Sequence, residues 1–384
     1  MRDSASELSF RAEQLIDDFE HRRGGSAEFS GTLRLVIGRS PALARQIDSA
    51  VSKGLLSRLE LLSLDSSAVG EYHTAGRLIR LRPDLESEPG TVAFVLGHET
   101  QHALNSPITS RAIGWFHQEV AHIASTTHDY TRPVRTLIRS SRWDESSSTL
   151  AGLNALVGYV RGTRREAQLS DVFDAAPNAV ADFIIGEDRT AQYLPSFEAN
   201  EDLTIPITPD NIEAVAREYF DKSPDETMLG ARGTSDYANY YGAWAIGAIV
   251  PSHLRSAPVQ PMRIDLASLG LIRQIMEENG IDLHGVQQQA YVDASTQPPT
   301  QDFFHHTMGT FRYVPPTGAA IDPANDPSTD RAFEALRLAS LGFARPPTAA
   351  IRLPSGIQLS ARGQPAVAVR NVRPKRTVQS NSVS

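Results

Sequence analysis

Residues 91–104 decide how this chain reads: Thr91-Val92-Ala93-Phe94-Val95-Leu96-Gly97-His98-Glu99-Thr100-Gln101-His102-Ala103-Leu104. The apolar and small residues before His98 predict a buried helix that starts at Gly90 or Thr91. Asn105 and Pro107 are expected to stop it after Leu104. On a helix, positions i and i+4 lie one above the other, so His98 and His102 can reach one cation. Glu99 follows the first histidine and is placed to act as general base on a water, not as a ligand. A bare H-E-x-x-H pattern also arises by chance on exposed helices. Here the surrounding helix is apolar, and a polar cluster inside it has to be satisfied by something.

Composition narrows what can complete such a site. The chain has no cysteine, so a metal must be held by His, Asp and Glu. Its 384 residues, 40% hydrophobic and 21% charged, suit a globular protein of one large or two modest domains. No run approaches the ~20 apolar residues of a membrane-spanning helix. The net charge of −8 argues against nucleic acid as a partner.

Catalytic zinc takes three protein ligands and keeps one position open, so a third ligand is needed. Glu145 opens a run of small residues, Ser146 to Thr149 and then Ala151-Gly152, that lets its helix press against the metal-bearing one. Glu166 is the runner-up, although Arg164 and Arg165 can equally pair with it on a solvated face. Glu187 and Asp188 come third. His117 and His122 read as core or surface histidines. His305 and His306 are adjacent, and neighbours on a strand point to opposite faces. Hydrolysis also needs a donor for the developing oxyanion. Tyr240 or Tyr241 can supply it, while Tyr237, Tyr241 and Trp244 also fit a packing stripe on one helix face.

Around the site the pattern is mixed. Residues 32–37 and 59–64 read as strands, Tyr72–Leu81 as a hairpin, and Ser40-Pro41 as the start of a helix. Helices are expected at 113–125, 132–139, 144–161, 164–175, 209–220, 237–249 and 264–279, with a surface loop at 194–208. Residues 300–313 are the last expected packed piece. The fold class is therefore α+β, mainly helical, with a small sheet beside the His98–His102 helix. Three segments follow: an amphipathic helix in 1–29 (Leu8, Ala12, Leu15, Ile16, Phe19), a main domain over 30–314, and a proline-rich, basic tail over 315–384. Residues 1–23 lack the apolar stretch of a cleaved signal peptide.

Three segments together resemble the gluzincin-type zinc metallopeptidase domain of bacterial effector toxins, the Xanthomonas-like and Lysobacter-like substrates of type IV secretion. They are Phe94–Asn105 with the preceding Leu78-Ile79-Arg80-Leu81, Arg142-Trp143-Asp144-Glu145 leading into Leu150–Val157, and Tyr237–Gly242. The resemblance spans roughly residues 30–250. It implies a zincin-like fold, one zinc ion on His98, His102 and Glu145, and cleavage of proteins or peptides. It also implies synthesis in the bacterial cytoplasm, export into a target cell through secretion machinery, and an immunity partner. Two other readings stand beside it: a peptidoglycan amidase or endopeptidase toxin acting on cell-wall peptide, and a non-enzymatic metal-binding interaction protein. In one respect the chain departs from the pattern. Gluzincins often carry an acid four residues after the ligand glutamate, and this chain has Thr149.

Overall fold

A computed structural model describes residues 8–281, apart from 9, 22–25, 65, 67, 187–189, 228, 231, 258–259 and 280. Beyond these it describes the strands at 291–293, 302–305 and 309–312. The fold is mostly helical with a small mixed sheet, an α+β arrangement. The expected tail over 315–384 lies outside the described residues. Among those described, no helix is long and apolar enough to cross a membrane.

Three helices open the chain: α1 (Phe10–His21), α2 (Ala27–Arg39) and α3 (Pro41–Ser52). Leu15, Ile16 and Phe19 of α1 share one core with Phe29 and Leu33 of α2, and residue 30 falls inside α2. The strand expected at 32–37 is therefore part of a helix. Its β-branched residues favour a strand locally, but Phe29, Leu33, Val36 and Ile37 recur at helical spacing and all are buried. Ser26 caps the start, accepting from the Phe29 N–H at 3.1 Å. Packing outweighs local propensity here. Ser40 caps α3 as its sequence predicts, with Pro41 in the first turn.

The sheet holds β1 (Arg58–Leu61), β2 (Gly70–His73) and β3 (Leu78–Leu81) in the order β1-β3-β2. β1 runs parallel to β3, and β2 pairs antiparallel to it with Tyr72 opposite Ile79. The predicted hairpin is thus present. Arg80 links the three strands through Glu60 at 3.1 Å and Glu71 at 2.8 Å.

Two long helices form the spine, α4 (Pro89–Ala124) and α5 (Thr131–Thr163). At 1.5 Å per residue, α4 is about 54 Å long. The expected stop at Asn105–Pro107 does not occur; the helix runs through Pro107. An interior proline costs ~3 kcal/mol. Packing on both sides offsets that cost: Val92–Leu96 lie in one apolar core, and Ile113, Phe116 and Val120 in a second. α5 likewise joins the two helices expected at 132–139 and 144–161. Its Val134 and Leu137 belong to the second core, and Leu150–Val160 to the first. Between the two cores, the middle of both helices is buried and polar, from His98 to Thr109 on α4 and from Thr136 to Thr149 on α5.

The two helices touch most closely at glycines. A Cβ on Gly97 would sit 2.5 Å from the Ala155 Cβ, and one on Gly152 would sit 2.7 Å from the Phe94 carbonyl oxygen. Backbone cannot step aside as a side chain can. Gly152→Ala is therefore expected to destabilise the chain by ~1–3 kcal/mol, the usual range for overpacking, and chemical denaturation against wild type checks it. An unchanged midpoint would mean the helices are free to separate.

The remaining elements cover this spine. α6 (Leu169–Ala175) starts later than the expected 164, followed by α7 (Pro177–Val180) and a two-stranded pair, β4 (Ile184–Ile185) and β5 (Gln192–Tyr193). Residues 194–208 form the expected loop, pinned by buried Phe197 and Ile205. Asn154 of α5 brackets Ile205, donating to its carbonyl at 2.7 Å and accepting from its N–H at 2.8 Å. α8 (Pro209–Val215) passes into a π-turn at Ala216–Phe220, and α9 (Pro224–Thr227) precedes α10 (Tyr237–Ser256). α10 continues past its expected end at 249, through Pro251. The helix expected at 264–279 is instead β6 (Met262–Ile264), a 3-10 turn at Ala267–Leu269 and α11 (Arg273–Glu278). Gly270 breaks it with a left-handed φ of 68°. β6 pairs with β7 (Tyr291–Asp293), and β8 (Asp302–His305) with β9 (Gly309–Arg312).

Candidate metal centre

The buried polar middle of the spine holds the cluster that the H-E-x-x-H spacing predicts. His98 and His102 project from α4 and Glu145 from α5, and all three are fully buried. The two Nε2 atoms stand 2.8 Å apart. Glu145 Oε2 lies 3.7 Å from the first and 3.6 Å from the second. A triangle with those sides has a point about 2.0 Å from every corner, which matches the ~2.0–2.2 Å that zinc takes with imidazole nitrogen and carboxylate oxygen. Glu145 Oε2 has no hydrogen-bond partner, an expensive condition for a buried carboxylate unless a cation faces it.

Each ligand is held from behind. His102 Nδ1 lies 3.1 Å from Asp144 Oδ2 and 3.2 Å from the Ser148 hydroxyl. His98 Nδ1 lies 3.4 Å from Thr149 Oγ1. Tyr241 of α10 donates its hydroxyl to Glu145 Oε1 at 2.6 Å. Partners of this kind fix ring orientation and tautomer, leaving Nε2 free for the metal. The carboxylate that gluzincins often carry four residues after the ligand is thus supplied from the residue before it, Asp144.

Glu99 points from α4 toward β2 and is 1% exposed. Neither of its carboxylate oxygens has a hydrogen-bond partner; the Tyr72 backbone N–H faces it without reaching bonding geometry. Gly70 makes room for it, since a Cβ there would sit 2.3 Å from Val95 Cγ1 and 3.3 Å from Glu99 Oε1. Burial pushes the Glu99 carboxyl up to about 8. Burial and the neighbouring His102 push His98 down to about 4. For His102, burial acts downward but Asp144 and Glu145 outweigh it and raise the pKa. For Glu145, burial acts upward but the two histidines outweigh it and lower the pKa. A bound cation would favour neutral imidazoles and an ionised Glu145 together.

No family model, curated protein or solved structure matches this chain. The site therefore stands on its own geometry. His98, His102 and Glu145 lie close enough to bind a metal ion, and they are the only such group among the described residues. Glu166 sits exposed in the turn after α5 and takes no part. Glu187 and Asp188 lie outside the described residues. His117 packs its edge on Trp244, and His122 is exposed on the last turn of α4. His305 ends β8, and His306 is outside the described residues.

The two tyrosines expected near the chemistry are placed differently from each other. Tyr241 spends its proton on Glu145, so it supports a ligand. Tyr240 is half-buried with its ring edge-on to Tyr241 at 5.4 Å. Tyr237 is packed as a stripe residue would be, yet it also donates to Tyr219 Oη at 2.5 Å. Tyr219, on the π-turn, has no signal in the sequence. Burial first, then the charges of Glu145 and Glu99, push its hydroxyl far above its ordinary range, which places it in the field of both carboxylates. Asp144 does carry a signal: it adjoins the ligand, so it cannot share the metal and can only serve a neighbour.

Proposed function

We propose that the chain is a zinc-dependent peptidase with a zincin-like arrangement. The carrying observation is Glu99, a buried carboxylate with no hydrogen-bond partner beside a three-ligand cluster. Holding a metal does not require it; activating water does. That speaks against the purely metal-binding reading. When bound, zinc supplies Lewis acidity to polarise a scissile carbonyl and to acidify water. Glu99 takes the proton from the attacking water and returns it to the departing amine. Its raised pKa suits both halves of that transfer. β2 is the outer strand of the sheet and touches Glu99 through Gly70, which supports an extended polypeptide as substrate. Export as an effector toxin, with an immunity partner, is proposed on the resemblance alone.

Tyr219 is the best-placed oxyanion donor. Tyr237 fills one of its lone pairs, so its own proton is free to point elsewhere. Tyr219→Phe is expected to lower kcat about 10²-fold, the lower end for loss of one such donor, with zinc content unchanged. Casein hydrolysis and metal analysis on the same samples check this. Full activity in the variant would return the role to Tyr240. The reading as a whole is tested by zinc-loaded protein on casein: a chain that binds zinc and cleaves no protein or peptide would be a metal-binding protein only.

A further inference from the structure

Beyond the ligands and their immediate partners, an unbroken row of side-chain hydrogen bonds leads from α3 to the metal centre. Gln46 donates its Nε2–H to Gln101 Oε1 at 3.1 Å. Gln101 donates its Nε2–H to Asn105 Oδ1 at 2.9 Å. Asn105 donates its two Nδ2 hydrogens to Asp144 Oδ1 at 2.9 Å and to the Ser147 hydroxyl at 3.0 Å. Asp144 Oδ2 in turn faces His102 Nδ1 at 3.1 Å. Asn105 and Asp144 are buried; Gln46 and Gln101 are half-buried.

An amide can be turned end for end, so the direction of such a row needs an independent argument. Here both ends supply one. Gln46 Nε2 also donates to the Gly97 backbone carbonyl at 3.0 Å, and a carbonyl only accepts. At the other end Asp144, as a carboxylate, only accepts as well. Turning any one of the three amides would set N–H against N–H or oxygen against oxygen. The row can therefore run only one way, with every N–H directed toward Asp144.

We propose that this one-way amide row, with Asn105 as its last link, fixes the His102 tautomer and sets how tightly the centre holds its metal. The proposal rests on reading His98, His102 and Glu145 as a metal site. The Asn105 N–H occupies Asp144 Oδ1 and orients the carboxylate so that Oδ2 receives the His102 Nδ1–H. That leaves Nε2 with its lone pair toward Glu145. Without the donor, a buried carboxylate oxygen loses its partner and Asp144 is free to turn or to take a proton. His102 can then carry its proton on Nε2, where the metal must bind. Gln101 and Asn105 are positioning residues, and Gln46 ties the row to α3.

The experiment uses the full chain and zinc, with affinity measured by chelator competition and the His102 tautomer by ¹⁵N NMR on metal-free protein. Asn105→Leu removes the donor at similar volume. It is expected to weaken zinc binding about 10–100-fold, the range for loss of a ligand's supporting partner, and to lose the Nδ1–H signal. Gln101→Glu is the sharper variant because it touches neither Asp144 nor a ligand. Its carboxylate has no N–H for Asn105 Oδ1, so Asn105 turns and presents oxygen to Asp144. Added negative charge alone would tighten cation binding, whereas the row predicts weaker binding, so the sign separates the two. If Asn105→Leu fails to fold, Gln101→Glu still decides. Zinc affinity within twofold of wild type in Gln101→Glu, with the tautomer unchanged, would overturn the proposal and leave the metal site standing. Wild-type protein that binds no zinc would overturn both.

Discussion

Glu145→Ala is expected to leave the protein without stoichiometric zinc and without hydrolytic activity. Two histidines from one helix would remain, one ligand short of the three that a catalytic site uses. Loss of a supporting partner alone costs a metal site 10–100-fold in affinity; loss of a ligand is expected to cost more. The substitution also strips Tyr241 of its acceptor, and an unsatisfied buried hydroxyl costs ~1–3 kcal/mol. Glu145→Gln separates these effects. It keeps the volume and an oxygen for Tyr241 but has no charge to offer a cation. Both variants should therefore lose zinc, and only the alanine should also lose stability in the metal-free state. Thermal unfolding gives a second readout, because zinc at 100 times its Kd adds ~2.7 kcal/mol to wild type and should add nothing to either variant. Glu166→Ala serves as the control, with an expected zinc content of one ion per chain. Full zinc in Glu145→Ala, or its loss in Glu166→Ala, would end the assignment of the third ligand.

The centre was legible where chemistry is carried by short-range spacing. His98, Glu99 and His102 follow from one helical turn. Glu145 follows from the small residues after it, and Gly152 meets α4 at the carbonyl of Phe94 as close packing requires. Tyr219 was not legible, because its place beside two carboxylates depends on a π-turn some 75 residues away along the chain. The row through Gln46, Gln101 and Asn105 was not legible either. Polar spacers in a motif look interchangeable until the facing helix is known.

The same limit explains the errors in the fold. Thr32–Ile37 and Pro107 both carry strong local signals, one for a strand and one for a helix end. At both places buried contacts from distant residues outweigh a local preference of a few kcal/mol at most. The helix expected at 264–279 failed for the opposite reason. Gly270 is a local signal that the apolar spacing around it concealed.

Glu99→Gln should bind zinc like wild type and lose hydrolysis by ~10²–10⁴, the usual contribution of a general acid–base. The substitution keeps the size of the side chain and the space that Gly70 leaves for it, so the ligands have no reason to move. What disappears is the only group at the site that can take a proton and return it. Metal-free protein provides an independent check. The Glu99 carboxyl is raised from 4.5 to about 8 by burial. A carboxyl raised on folding favours the folded state while it is protonated. Its contribution is complete below pH 4.5 and is lost as pH rises toward 8. Wild type should therefore lose stability across that window relative to Glu99→Gln, in which nothing titrates at this position. Denaturation curves for the two metal-free proteins at pH 5 and pH 8 measure the difference directly. A constant gap would show that Glu99 is solvated after all. Near-normal hydrolysis by the glutamine variant would show that the proton goes to some other group. If zinc stays bound, activity falls and the gap widens with pH, the same buried carboxylate accounts for both the chemistry and the cost of keeping it dry.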